Sequence, residues 1–161
     1  MASVDYFLKI DGIKGESGDS KHKDEIDVLS WSWGETQQGA SAVGGGGGAG
    51  KVAMQDFHFT KRIDKASAPL LLACASGQHI KTVDLVCRKA GKDQQEYLVI
   101  KMTDILVSSY QTGGSAGGDN DALIDSVVLS FSTIEGEYRP QRADGTLGTP
   151  VVFQISSTCP Q

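Results

Sequence analysis

The stretch GGGGGAGKVAMQDFHFTKRI, Gly44 to Ile63, decides how the chain is read. From Gly45 it spells G-x-x-x-x-G-K, nearly the phosphate loop of nucleotide-hydrolysing enzymes. That loop needs a Ser or Thr after its Lys to hold magnesium, a buried strand before it and a helix N-terminus after it. Val52 stands at the hydroxyl position, and the preceding TQQGASAV has no apolar run. Downstream, Ala53, Gln55, Phe57 and Phe59 alternate with Val52, Met54, Asp56 and His58, the period-two pattern of a strand. No helix dipole faces a phosphate. The segment reads as a glycine loop entering β-structure, with no cofactor expected.

The rest of the chain fits a single domain over residues 1–161, long enough to bury an ordinary core. Apolar residues make up 39% and charged residues 22%, the balance of a globular chain. A net charge of −5 excludes nucleic acid and anionic membrane as expected partners, because both need a basic face. No stretch approaches the roughly 20 apolar residues of a membrane helix, so no membrane insertion is expected. MASVDYFLKIDG lacks the basic start and apolar region of a secretory signal. Cys74 and Cys87 lie in apolar segments and read as small core hydrophobes, while Cys159 reads as exposed. The expectation is synthesis in a reducing cytoplasm, with any export using a route that reads no signal peptide.

Strand segments are expected at Val4–Ile10, Ile26–Trp33, Val52–Ile63, Ile80–Lys89, Glu96–Val107, Leu123–Glu135 and Val151–Ser156, where β-branched and aromatic residues gather between turn residues. AGKDQ, TGGSAGGDND and RADGTLGTP read as hairpin or loop connections. DKASAPLLLACASGQH differs: Ser67 can cap a helix, Pro69 fits its first turn and Gly77 can stop it. A short helix over Ala68–Ser76 with a Leu-rich buried face follows. The fold class is therefore mainly β, a small β-barrel or two-sheet sandwich flanked by one short α-helix.

Alternation sorts the faces. In IDVLSWSWG, Leu29, Trp31 and Trp33 share one face and Val28, Ser30 and Ser32 the other. In LIDSVVLSFST, Leu123, Val127, Leu129 and Phe131 oppose Ser126, Val128, Ser130 and Ser132. The first set in each is the expected core. The second carries small hydroxyls and few long charged side chains, which suits a solvated sheet face or a smooth wall lining a channel.

No catalytic or metal centre emerges. GGSAG, Gly113 to Gly117, matches the nucleophile elbow G-x-S-x-G, but it joins two expected strands and no His follows Ser115. His22, His58 and His79 lack helical ligand spacing, KHKDEID reads as a mixed-charge surface run, and His58 faces away from Phe57 and Phe59. DNDALID opens like a calcium loop, but Leu123 stands where an oxygen ligand is needed. No catalytic, metal or cofactor residues are assigned, and the chain is not expected to be an enzyme.

Six stretches in order, FLKIDGIKGES, EIDVLSWSWG, GGGGGAGK, QDFHFTKRIDKASAPLLLACASGQHI, EYLVIKMTDILVSSYQTGGS and YRPQRADG, resemble the hemolysin-coregulated protein (Hcp) family, the tube protein of bacterial type VI secretion. The resemblance runs to about Gly145 and does not reach the terminal STCPQ. It implies a hexameric ring, stacked into a hollow tube that a contractile sheath propels. It also implies a spike protein at the tip, effectors in the lumen, and secretion without a signal peptide. The glycine run then resembles the family's extended loop. Gly44, Gly45, Gly46, Gly47, Gly48, Gly50 and Lys51, with Gly113 and Gly114, become candidates for contacts between stacked rings. Ser30, Ser32, Ser126, Ser130 and Ser132 become candidates for the lumen wall. A different class, a monomeric small-molecule-binding β-barrel, would instead show a defined apolar cavity.

Overall fold

A computed structural model describes residues 4–37, 52–89, 94–116 and 123–156. In chain order the elements are β1 (Val4–Ile10), β2 (Ile26–Val28), β3 (Ser30–Ser32), β4 (Glu35–Gln37), β5 (Val52–Met54), β6 (Phe57–Arg62), α1 (Ser67–Ser76), β7 (His79–Lys89), β8 (Glu96–Gly113), β9 (Ile124–Ser130), β10 (Thr133–Tyr138) and β11 (Val151–Ser156). The main sheet runs β2-β1-β7-β8-β9-β6-β3, with β10 also on β8 and β11 on β10, while β4 and β5 form a separate hairpin. Its two ends, β2 and β3, are successive pieces of one segment. The hydrogen-bonded path is open between them, and chain continuity through Leu29 brings the ends together around the core.

β8 makes this curl possible. It is 18 residues long; its first part pairs with β7 and β10, its last part with β9. At Asp104 the backbone turns left-handed, φ 57°, and the buried positions change from Ile100 and Met102 to Ile105 and Val107. A further register shift follows between Val107 and Ser109. Such irregularities bend a strand and re-aim its side chains. One strand thereby serves both halves of the barrel, and it continues past Val107, where the sequence led us to end it. Leu8, Ile26, Phe57, Phe59, Leu85, Met102, Leu129 and Ile134 fill the interior.

The expected strand Ile26–Trp33 is broken at Leu29. β2 takes its register from β1, pairing Tyr6 with Val28, whereas β3 takes its register from β6, pairing Trp31 with Phe59. The inward positions slip by one between them. Val28 is therefore buried and Leu29 exposed, opposite to the alternation reading. Trp31 and Trp33 are half-buried and pack on the core as expected. Leu123 is also exposed, lying just before β9, and the inward place beyond it belongs to Asp125. Leu123–Glu135 forms two strands, β9 and β10.

Helix α1 buries Ser67, Leu70 and Ala73, a single stripe, and leaves Leu71 and Leu72 exposed. Consecutive helical residues point about 100° apart, so three adjacent leucines cannot all face one core. Gly77 ends the helix in the left-handed conformation expected of it, φ 66°. Ser67 does not cap it. Its hydroxyl donates instead to Asp125 Oδ2 at 2.6 Å.

That bond belongs to a buried cluster. Lys61 and Asp125 are cross-strand partners on β6 and β9, both at inward positions and both fully buried. Lys61 Nζ donates to Asp125 Oδ2, Asp64 Oδ1 and Ser67 Oγ, each at 2.8 Å. Burial pushes the Asp125 carboxyl up, but the hydrogen bonds from Lys61 and Ser67 outweigh it and hold the group below its ordinary value. A second cluster anchors the segment between β1 and β2. Arg88 forks onto Asp19 with bonds of 3.0 and 2.8 Å, reaches Asp5 at 3.1 Å and lies 4.7 Å above the Phe7 ring. His22 stacks on Phe7 at 4.3 Å, with Glu25 at 2.7 Å from Nδ1 and Glu96 at 2.8 Å from Nε2. His22 is thus buried, not part of a surface run as its charged neighbours suggested. Gly15 lets this segment close on itself, since a Cβ there would stand 2.5 Å from the Glu25 carbonyl oxygen.

Two outcomes are expected. Asp125→Ala leaves the buried Lys61 ammonium with Asp64 as its one carboxylate partner and lowers unfolding free energy by about 3 kcal/mol in urea titration. Lys61→Met with Asp125→Leu recovers most of that loss. Because the folded Asp125 value lies below the unfolded 3.8, its stabilisation is complete above about pH 4 and is lost as pH falls through the folded value. Asp125→Asn flattens that acid limb. Separately, Gly15→Ala costs about 1–3 kcal/mol through overpacking, read from the thermal midpoint.

Candidate assembly surface

Strands β3, β6, β9 and the last part of β8 lie side by side, and their register sets what stands on the face turned away from the core. Ser30 pairs with Thr60, Thr60 with Ser126 and Ser126 with Gln111, one row across the four strands. Ser32, His58, Val128 and Ser109 form the next row. The intervening Trp31, Phe57, Phe59, Val127 and Leu129 point inward. The face is therefore a patch of hydroxyl, amide and imidazole side chains with one wholly apolar member, Val128, and no formally charged residue among these eight positions. Ser30 Oγ and Thr60 Oγ1 share a hydrogen bond at 2.5 Å. The row Arg62–Ile124–Gly113 follows and puts a cation at the margin.

Ser30, Ser32, Ser126 and Ser130 thus fall on one face of β3 and β9. Ser132 lies beyond β9 at the corner to β10, where its amide donates to Thr103 O at 3.1 Å and its hydroxyl to Asp104 Oδ2 at 3.0 Å. Thr60, Ser109 and Gln111 join the patch without having been singled out. The alternation in FHFT carried a signal for Thr60, but nothing local revealed that β6 sits between β3 and β9.

Both lateral edges of this four-stranded half are unpaired among the described residues. β3 has β6 as its sole strand partner, and β8 from Ser109 to Gly113 has β9 alone. Gly113 ends β8, and Gly114 follows it under Leu123, whose Cδ2 would stand 2.3 Å from an added Cβ. Gly44, Gly45, Gly46, Gly47, Gly48, Gly50 and Lys51 lie outside the described residues. So do Cys159 and most of DNDALID, while Asp125 at the end of that motif is committed to Lys61.

Catalytic motifs find no support in this geometry. The strand β5, not a helix, follows the glycine run, and Ser115 leaves an antiparallel strand, not the parallel strand of a nucleophile elbow. Burial pushes the Cys87 thiol up to about 12, so it is a packed, unreactive group. Among the described residues no group of three or more His, Cys, Asp or Glu is arranged to hold a metal. The barrel interior is filled by side chains. Clefts of about 700 Å³, between Lys9, Ile10, Ile13, Lys14, Lys23 and Lys65, and about 470 Å³, between Val99, Lys101, Glu135, Val152 and Phe153, lie instead on the surface and mix charged with apolar lining, unlike the enclosed apolar cavity that a small-molecule barrel requires.

The family model described as "Type VI secretion system effector, Hcp" matches residues 7–138. A curated relative, Protein hcp1 of Pseudomonas aeruginosa, is 51% identical over 153 residues, covering 94% of this chain and 93% of its own. Among solved structures, Hcp1 from Salmonella typhimurium is 39% identical, with a TM-score of 0.77 and coverage of 96% of this chain and 95% of that one. A structure titled as a type six secretion system protein is 32% identical, with a TM-score of 0.89 and coverage of 97% and 96%. The class is a β-rich structural protein of type VI secretion, and the chain belongs to the Hcp family.

If the outer hydroxyl face is a surface and not part of the folding core, small changes there leave stability nearly untouched. Ser30→Ala and Ser126→Ala are each expected to shift unfolding free energy by about 0.5 kcal/mol or less. Urea titration checks this, and it contrasts with the loss expected one residue away at Asp125.

Proposed function

We propose that this chain is a tube subunit of a type VI secretion system. Six copies close into a ring, rings stack into a hollow tube, and the face carrying Ser30, Ser32, Ser126 and Ser130 lines the lumen. The observation that carries this reading is the four-stranded half itself, a charge-poor face with an unpaired strand edge on each side. Exposed edges invite strand addition. A ring of identical subunits needs two different patches meeting head to tail with a rotation that closes. β3 of one copy beside β8 of the next meets that requirement and makes the face continuous around a channel. A wall of short hydroxyls holds cargo weakly, which suits effectors that must be released. The contractile sheath, the spike and the effectors are the partners this reading implies, and export by the system itself is its route out of the cytoplasm.

Light-scattering mass on a size-exclusion column, over a wide concentration range, tests the ring. A species near six times the 17.0 kDa chain mass is expected. The lumen assignment is tested with Ser32→Cys in a Cys74→Ser/Cys159→Ser background. In assembled tubes a thiol reagent too bulky for the channel leaves Cys at position 32 unmodified, and dissociation exposes it. Full labelling in the intact tube would exclude the assignment.

A further inference from the structure

The cleft of about 700 Å³ lies where three separate stretches meet: β1 with the turn after it, the segment before β2, and the lead-in to α1. Four lysines line it, Lys9 and Lys14 from the first stretch, Lys23 from the second and Lys65 from the third. That is four of the 15 basic residues of a chain whose net charge is −5. Hydrogen bonds cross-link its walls. The Ile13 amide donates to Ile10 O at 3.1 Å, the Gly15 amide to Asp24 O at 2.8 Å and the Lys65 amide to Glu16 Oε2 at 2.8 Å. Lys23 stands next to His22, which is clamped between Glu25 and Glu96. The backbone carrying the lysines is thus fixed in place before any ligand arrives, which lowers the ordering cost of binding.

The carboxylates nearby leave most of this charge unanswered. Glu25 bonds His22 at 2.7 Å, and Glu16 accepts from the Lys65 amide. Asp24 stands 3.7 Å from Lys65 Nζ, beyond hydrogen-bonding distance. Among the described residues, lysine ion pairs involve Lys61 and Lys65 alone. Of the lining acids that leaves Asp11 against Lys9, Lys14 and Lys23, with Lys9 also beside Asp84 across the strands. We infer that the cleft docks an acidic segment of a partner protein, its carboxylates set between Lys14, Lys23 and Lys65. The lining holds lysine and no arginine. Lysine ammoniums are point charges on flexible stems, without the rigid fork that grips phosphate bidentately, and they suit carboxylates spaced along a peptide. Ile13 and Pro69 give the aliphatic stems of such a segment apolar contact. A nucleic acid or an anionic membrane would meet the chain's overall negative charge outside the cleft, whereas a short segment lies within it. The site is complete within one chain and does not need the ring.

Fluorescence anisotropy of the full chain with a labelled short peptide of alternating Glu and Ala tests the site, with the Gln and Ala counterpart as control. Saturable binding of the Glu peptide is expected, and none of the Gln peptide. Lys14→Glu and Lys23→Glu are each expected to weaken binding about fivefold, the scale of an exposed ion pair, with unchanged thermal midpoints. Arg142→Glu, the same charge change at an exposed residue outside the lining, is expected to weaken it less than about twofold. Carbodiimide coupling joins a carboxylate to an amine in contact with it, and fragment mass spectrometry is expected to find the peptide on Lys14, Lys23 or Lys65. No binding up to about 1 mM overturns the inference. So does an equal loss with Arg142→Glu, or coupling chiefly to lysines outside the cleft. Inorganic triphosphate that displaces the peptide and binds about tenfold tighter also overturns it, and would assign the cleft to phosphate.

Discussion

The buried Lys61–Asp125 pair is the constraint on which the rest of the structure depends. It lies where β6, β9 and the start of α1 converge, and its three side-chain bonds reach all three. A buried ion pair is poor evidence for stability, because desolvation offsets much of its attraction. Its value here is register. A slip of one residue between β6 and β9 would turn Asp125 outward and leave the buried Lys61 with Asp64 as its one carboxylate partner. The register that satisfies Lys61 is also the register that sets Thr60 opposite Ser126. The hydroxyl row on the outer face is thus fixed from the inside.

The Arg88–Phe7–His22 stack has a matching role on the other half. The segment between β1 and β2 contains little regular structure, yet it must hold β2 against β1. Arg88 reaches across it to Asp19, whose carboxyl the guanidinium holds well below the usual carboxylate range. His22 lies between two carboxylates on the same ring stack, one from the segment and one from β8. Gly15 allows the closest backbone approach. These contacts position β2, and β2 with β3 brings the ends of the sheet together.

Much of this was legible from residues. The alternation of Phe57, His58 and Phe59 sorted the faces at the start of β6, and Val127 and Leu129 were read correctly as core. Gly77 marked the helix stop, and the ordered family stretches led to the correct class. The errors share a cause. A one-residue break at Leu29 has no composition signal, because it arises from β2 and β3 answering to different partners. Leu71 and Leu72 looked like core because a leucine run is apolar, but a helix lying on a barrel offers it one stripe. His22 looked like a surface group, since no local pattern announces a partner such as Glu96 on a distant strand. β8 ran on because a left-handed Asp104 and a later bulge reset its alternation.

The two outer faces differ in chemistry, and the difference bears on what the molecule is for. Across β1, β7, β8 and β10 the register aligns Lys9, Asp84, Lys101 and Glu135 in one row of alternating sign. Opposite charges in direct cross-strand contact support a sheet. Burial pushes the Asp84 carboxyl up, and the neighbouring Lys101 and Lys9 oppose that shift. Across β3, β6, β9 and β8 the equivalent rows carry Ser, Thr, Gln, His and Val. A chain with 35 charged residues and a net charge of −5 had ample means to charge both faces. Paired charge on one face and hydroxyls on the other give the two faces different hydration, and that asymmetry is what the proposed tube subunit would use.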